Sequence, residues 1–235
     1  MSMMKIFVGV DLRQPLAYNV LQHAIQMTAK RPVQVIPLLK HQLPITRTGL
    51  TDFTFSRYLV PWLCDFKGTA LFMDGDMVVL EDINGLQDWY DGHYDADQRP
   101  AVSVVLDQPE FEWPSLMIFS NKDCRHLTPD FVNNIENRPQ ELKRWVSPIG
   151  ALPRAWNVMV KASDPHEPPE DAKVLHFTEG LPCFFETQET PGAYLWHAMK
   201  REMNYTVNWK ALMGSSIHAG PVIRRLLKTY NGEDK

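Results

Sequence analysis

The sequence predicts an α/β fold, a mostly parallel central sheet flanked by helices, in a single domain spanning residues 1–235. Three observations predict it. Continuous apolar runs of strand length end in acids, as in Lys5-Ile6-Phe7-Val8-Gly9-Val10-Asp11 and Ala101-Val102-Ser103-Val104-Val105-Leu106-Asp107, the pattern of strands buried on both faces. An apolar helical stripe separates the first two strand-like runs, the spacing of a parallel unit with a crossover helix. No internal repeat, low-complexity tract or linker divides the chain, and 235 residues with 44% hydrophobic composition can bury a sizeable core.

Taken in order, Lys5–Val10 is the first strand and Pro15 suits the first position of the helix after it. Ala17, Val20, Leu21, Ala24, Ile25 and Thr28 recur at helical spacing, and Val33–Leu38 is the second strand. Residues 43–50 read as a loop. From Asp52 to Leu63 an apolar stripe of Phe55, Tyr58, Leu59, Trp62 and Leu63 predicts a helix that Pro61 kinks or ends. Lys67-Gly68 turns the chain into the apolar run that reaches Met73. Residues 82–97 are acidic and turn-rich, with Trp89 and Tyr90 as anchors. Strands follow over 101–106 and 115–120, with an aromatic, acidic loop at 110–114. A helix interrupted at Pro139 is expected over 129–145, a polar loop over 164–171, a short strand over 173–177, and closing helices over 194–203 and 221–230.

Net charge of −4 and a pI near 6.1 leave no basic field for nucleic acid or an anionic membrane. Cys64, Cys124 and Cys183 form no CxxC pair, so neither a zinc site nor a redox centre is indicated, and a reduced, cytoplasmic protein is expected. The apolar run after Lys5 is too short for a signal peptide, and no window reaches the length of a membrane span.

Asp74-Gly75-Asp76, between the apolar runs 69–73 and 77–80, is the focus of the functional reading. Residues two apart on an extended chain face the same side, and Gly75 allows a tight turn or a close approach to a ligand. Asp-Gly is also ordinary turn chemistry. A helix-loop-helix calcium site is excluded, because Val78 and Val79 stand where it needs an oxygen ligand and a glycine. The functional alternative is a hard divalent cation, Mn²⁺ or Mg²⁺, carrying a nucleotide diphosphate. His176 ends the late strand, where ligands collect in α/β sheets, and Gly180 after it can approach a phosphate; a packed structural histidine is the competing reading. Arg57 is either a solvated helix residue or a bidentate partner for a diphosphate. Asp11 suits a base or ribose contact, or a helix N-terminal acid. Asp107, Trp113 and Trp156 are candidates for sugar or acceptor contacts, the two tryptophans equally for the core.

Ser56-Arg57-Tyr58-Leu59-Val60-Pro61-Trp62-Leu63 followed by Ala70-Leu71-Phe72-Met73-Asp74-Gly75-Asp76 resembles the paired segment of GT-A glycosyltransferases related to glycogenin and bacterial α-galactosyltransferases, family 8. Leu152-Pro153-Arg154-Ala155-Trp156-Asn157 resembles that family's L-P-x-x-W-N segment, and Val174–Gly180 its late histidine-glycine segment. The resemblance runs in order from about Lys5 to Phe184. It implies one GT-A domain that binds a nucleotide-activated sugar, UDP-type, through Mn²⁺ or Mg²⁺. Asp74, Asp76 and His176 match the metal ligands; transfer is with retention, and no nucleophile is assigned. The acceptor is a glycan, protein or small molecule. Two departures bear on the donor. Cys183 stands where the family often has a lysine that contacts the diphosphate, a contact that is either missing here or supplied elsewhere, by Arg154 or Lys161. Trp113-Pro114-Ser115 replaces the small Asn-Ser-Gly segment that helps hold the donor sugar, which brings Ser115 among the candidate contacts.

Two other readings compete. A haloacid-dehalogenase-type phosphatase would use Asp74 as nucleophile and Asp76 as acid/base, with Ser120 and Lys122 completing the site. A nucleotide-sugar or glycan-binding module without turnover would explain Cys183.

Overall fold

A computed structural model of the protein describes residues 3–138 and 141–231. The chain forms two compact units, Met1–Met199 and Lys200–Lys235. The first unit holds strands β1 (Met4–Gly9), β2 (Val33–Leu38), β3 (Thr69–Met73), β4 (Met77–Val79), β5 (Val102–Val104), β6 (Leu116–Ser120), β7 (Ile149–Ala151), β8 (Val158–Val160) and β9 (Val174–Phe177). A six-stranded sheet runs β2-β1-β3-β6-β5-β7, and a three-stranded sheet runs β4-β9-β8.

The large sheet is mostly parallel, as its strands' continuous apolar character predicts. β1 pairs in parallel with β2 and β3, and β5 with β7; β6 alone is reversed, antiparallel to both β3 and β5. Register aligns Phe7, Phe72 and Met117 in one row across three strands. Because side chains alternate, that row faces one side with Phe119, while Ile6, Val8, Leu71 and Ile118 face the other. The first side closes over Phe53, Phe55, Tyr58, Leu59 and Trp145, with Tyr58 stacked on Trp145 at 4.0 Å between ring centroids. The crossover helix α1 (Pro15–Thr28) starts at Pro15 and buries Ala17, Val20, Leu21, Ala24 and Ile25, the predicted stripe.

Several elements differ from expectation. Instead of one helix over 52–63, a 3-10 turn at Ser56–Leu59 leads into the single-turn helix α2 (Val60–Leu63). Pro61 sits in the first turn of α2 rather than breaking it, because there its missing N–H would have no intrahelical partner anyway. The acidic stretch 82–97 carries a helix, α3 (Asn84–His93). The Asp82 carboxylate accepts from the Asn84 backbone N–H and Nδ2, fixing the start of α3, and Ile83, Leu86 and Tyr90 form a buried stripe that its acids and glycines obscure. Residues 129–145 form two short helices, α4 (Pro129–Asn133) and α5 (Leu142–Trp145); Pro139, the expected interruption, lies outside the described residues. The strand expected over 101–106 is only β5, and the 110–114 loop is a 3-10 segment, Glu110–Ser115. β7 and β8, three residues each, lack the length for periodicity to reveal them.

Helix α6 (Ala193–Met203) follows, and the unit boundary falls inside it. The second unit adds α7 (Trp209–Met213), capped by the Asn208 side chain, and α8 (Ala219–Tyr230). Among the described residues, no helix is long and apolar enough to cross a membrane.

The two sheets meet at one corner. β3 belongs to the large sheet and β4 to the small one, and only Asp74-Gly75-Asp76 lies between them. A Cβ on Gly75 would stand 2.5 Å from the backbone oxygen of Gly9, so the corner closes against β1 only without a side chain. Backbone cannot yield as a side-chain tip does. Gly75→Ala should therefore lower stability by roughly 1–3 kcal/mol in urea unfolding. Gly92→Ala is the control: a Cβ there, in α3, meets nothing, and a helical glycine-to-alanine change should gain about 0.5–1 kcal/mol. Equal midpoints for the two variants would contradict this account of the corner.

Candidate metal and nucleotide site

The corner carries the acids. The Asp74 backbone N–H donates to Ser115 O at 2.8 Å, continuing the β3–β6 ladder one residue past β3. On the far side of Gly75, β4 pairs antiparallel with β9, setting Met77 opposite His176, and the Phe177 N–H donates to Asp76 O at 3.0 Å. This pairing closes a separation of about a hundred residues. One ligand atom from each of Asp74, Asp76 and His176 lies within 4.8 Å of the others. Asp74 and His176 are buried, at 8% and 2% exposure, and Asp76 is half-buried.

Arg57 stands behind this cluster rather than in front of it. Its Nη2 is 3.1 Å from Asp74 Oδ1, its Nη1 donates to Pro114 O at 2.7 Å, and its Nε to Phe53 O at 3.4 Å. Its guanidinium is thus committed to holding Asp74 and the backbone on either side. His176 Nε2 lies 3.3 Å from Asp76 Oδ1, and His176 Nδ1 lies 3.9 Å from Glu112 Oε2.

The charge balance is unfavourable without a further cation. Burial pushes the Asp74 carboxyl up to about 7; Arg57 opposes that rise and Asp76 adds to it. Burial alone would lower His176, but the carboxylates of Asp76, Asp74 and Glu112 outweigh it and raise the imidazole. Asp74 Oδ1, Asp76 Oδ1 and His176 Nδ1 are buried without a well-formed hydrogen bond, although Arg57 lies within ion-pair distance of the first and His176 Nε2 of the second. Two carboxylates, one imidazole and orphaned oxygens fit a divalent cation of the Mn²⁺ or Mg²⁺ kind, with the nitrogen favouring Mn²⁺.

The other candidates are placed unevenly. Gly75 is in the corner itself. Ser115 is buried beside Asp74; its hydroxyl donates to Glu112 O and accepts from Asn157 Nδ2 at 2.8 Å. Asp11, at the carboxyl end of β1, is engaged by Arg13 through the backbone N–H, Nε and Nη2 and by the Asp52 N–H, so Arg13 holds its carboxyl below the usual range. Gly180 has φ of 126°, a conformation that side chains rarely adopt, in the turn that follows β9. Trp156 is buried against Gly85, with Lys173 over its ring, and Trp113 is half-buried with its Nε1 donating to Gln108 O. Both tryptophans therefore have packing roles. Asp107 is exposed and 3.4 Å from Arg154 Nη1. Lys161 lies near Asp164 and Glu179, and Cys183 is half-buried with no disulfide. Glu112 and Arg13 are parts of this neighbourhood that no motif in the sequence singled out, and Asn157, the last residue of the L-P-x-x-W-N segment, joins it through Ser115.

The phosphatase arrangement is not formed. Ser120 pairs with Thr69 at the start of β3, whereas Asp74 follows its end, and five residue steps along the strand separate the two by about 17 Å. A cavity of about 720 Å³ lies at that same far end, beside Met4, Thr69 and Ser120 and among Arg31, Asp88, Asp91, Arg99 and Lys122. Two ion pairs neutralise much of its lining, Arg31 with Asp88 and Arg99 with Asp91. The convergent buried acids are at the opposite end of the strands, and they define the site.

The fold is that of a GT-A α/β protein. The chain matches the galactosyltransferase LgtC, solved with donor and acceptor sugar analogs, with a TM-score of 0.55 over 88% of this chain and 99% of that one, at 11% identity. It matches the bifunctional glycosyltransferase WbbM with a TM-score of 0.60 over 95% of this chain and 52% of that one, at 13% identity. The glycosyltransferase GlyE of Streptococcus pneumoniae gives 0.54 over 91% and 62%, at 12% identity. No protein-family model matches the sequence. A closer relative is Protein CDI of Arabidopsis thaliana, 31% identical over 233 aligned residues covering 85% of this chain and 87% of that protein. The chain belongs to the family of Protein CDI.

The raised Asp74 and His176 set the pH dependence. Both bind their protons more tightly folded than unfolded, so the stability they contribute is complete at low pH and lost as pH rises. For Asp74 the loss runs from its ordinary value of 3.8 to about 7, and for His176 it begins near its ordinary 6.5. In EDTA, the Tm of Asp74→Asn relative to the native protein should therefore climb between pH 5 and pH 8; a constant difference would argue against a buried, proton-holding Asp74. Removing Arg57 should be costly, because it leaves Asp74 buried and unpaired: Arg57→Ala should lose about 3–5 kcal/mol by urea unfolding. Asp74→Asn in the same chain should recover part of that loss, and strict additivity would rule out the coupling.

Proposed function

We propose that the protein is a metal-dependent glycosyltransferase that moves a sugar from a nucleoside-diphosphate donor, UDP-type, to a glycan, protein or small-molecule acceptor, with retention. The observation that carries this reading is the meeting of Asp74, Asp76 and His176 at the carboxyl end of β3, their ligand atoms within 4.8 Å of one another. A bound Mn²⁺ or Mg²⁺ would supply Lewis-acid stabilisation for the charge developing on the departing diphosphate. The chain's own groups do the rest. Arg57 holds Asp74 in place through its ion pair, and Gly75 keeps both carboxylates at the corner. Gly180, at the mouth of the turn after β9, gives a phosphate room to approach backbone. Asp11 suits the ribose or base once Arg13, largely exposed, turns away from it. Every one of these residues lies in the Met1–Met199 unit, and the chain is read as one nucleotide-sugar-binding domain. An odd number of cysteines with no CxxC pair supports a reducing compartment, the cytoplasm.

Thermal shift against nucleoside diphosphates and their sugars, with and without Mn²⁺, tests the reading. A ligand at a hundred times its Kd adds about 2.7 kcal/mol, which for a chain of this size is a rise of roughly 5–10 °C. The rise should need both nucleotide and metal, and should vanish in Asp74→Asn and Asp76→Asn. A nucleotide-induced shift that survives both substitutions would sink the proposal. Binding without sugar transfer to any acceptor would favour a binding module instead.

A further inference from the structure

Glu112 is the residue near the cluster that no motif explains. It sits in the 3-10 segment Glu110–Ser115, whose backbone is tied to the site at two carbonyls and braced by one hydrogen bond within the segment. Ser115 O accepts from Asp74 N at 2.8 Å, Pro114 O accepts from Arg57 Nη1 at 2.7 Å, and Glu112 O accepts from the Ser115 hydroxyl. The Glu112 side chain is only 17% exposed, and its Oε2 is 3.9 Å from His176 Nδ1, an atom buried without a hydrogen-bond partner. On the other edge of the ring, Nε2 faces Asp76 Oδ1 at 3.3 Å.

A neutral imidazole has one N–H and one lone pair, and only the nitrogen with the lone pair can ligate a cation. With the proton on Nε2, the Nδ1 lone pair would face the Glu112 carboxylate, acceptor against acceptor, and the edge facing Asp76 would have nothing to offer a cation. With the proton on Nδ1, an N–H points at Glu112 and the Nε2 lone pair faces the aspartates. Closing 3.9 Å to hydrogen-bond length needs a movement of about 1 Å at the end of a flexible side chain. Asp76 pulls the other way, since it too can accept from the ring, so the tautomer is decided by the balance between two carboxylates.

We propose that Glu112 is a positioning residue that holds the proton of His176 on Nδ1, orienting the ring and freeing Nε2 for a divalent cation. The cation itself rests on the function proposed above; the tautomer does not. A carboxylate behind a ligating histidine fixes its orientation and raises its basicity, and losing such a partner costs about 10- to 100-fold in metal affinity.

Glu112→Gln is the test, because it keeps the shape and removes the negative acceptor, and its amide N–H₂ can donate to Nδ1. Nitrogen-15 NMR of the His176 ring, at a pH where the imidazole is neutral, reads the tautomer in metal-free protein and again with Mg²⁺. Free-Mn²⁺ electron paramagnetic resonance reads affinity, and a melting curve confirms that the variant is folded. The expected result is a shift of the proton from Nδ1 towards Nε2 and Mn²⁺ binding weakened 10- to 100-fold. Weakened Mn²⁺ binding with an unchanged tautomer would overturn the proposal, because loss of a nearby charge alone would then explain it. An unchanged tautomer with unchanged affinity would overturn it as well. Failure of the native protein to bind Mn²⁺ would instead count against the proposed function, and the tautomer shift in metal-free protein would still decide the role of Glu112.

Discussion

Negative charge buried at a corner between two sheets is the constraint on which this site depends. Two unit charges 4.8 Å apart repel by roughly 3 kcal/mol at an effective dielectric of about 20. Desolvation adds to that penalty for Asp74, whose carboxyl is pushed up to about 7. The fold offsets part of it with Arg57, placed behind Asp74 and tied to two backbone carbonyls. The remainder is met by a proton on Asp74, by a charged His176, or by a cation between them. A site that is strained when empty and relieved by a divalent ion gains affinity from the relief.

The same corner explains why two sheets are present. β3 is flanked by β1 and β6 and reaches its end at Met73; a straight continuation would carry the acids out of the sheet and away from β9. The backbone instead turns across the Gly9 carbonyl, at a distance that no side chain tolerates, and re-enters as β4. β4 then pairs with β9, and that pairing alone brings His176 beside Asp76. The reversed strand β6 has a matching role. Its antiparallel register against β3 places Ser115 next to Asp74, so that the segment carrying Pro114 and Glu112 wraps the other side of the acids. The clustering of Asp74, Asp76 and His176, the support of Asp74 by Arg57 and the approach of Glu112 to the imidazole are therefore consequences of strand pairing.

Membership in the Protein CDI family and the GT-A architecture bear on different questions. Identity of 31% over most of both chains establishes common descent with a protein whose name states no chemistry. The solved transferases share the path of the backbone at 10–13% identity, too little to transfer residue roles. What bears on chemistry is this chain's own atoms, above all three side chains whose ligand atoms converge within 4.8 Å.

By itself, the sequence determined the strand-helix-strand opening, the strand running into Asp74, the late strand ending at His176 and the closing helices. These are segments where burial on both faces or an amphipathic stripe writes a long, regular pattern. It missed α3, whose apolar residues are interleaved with acids and glycines, and it missed β7 and β8, too short to show a period. It named Asp74, Asp76 and His176 as one set only through a family resemblance, since nothing local links residues a hundred positions apart. Tertiary structure decided the rest. Arg57 supports an acid, Asp11 is held by Arg13, the two candidate tryptophans pack against their neighbours, and Glu112 stands at the ring of His176. Each of these depends on which backbone lies across from which, and hydrogen-bonded register between distant strands leaves no mark in the residues on either side.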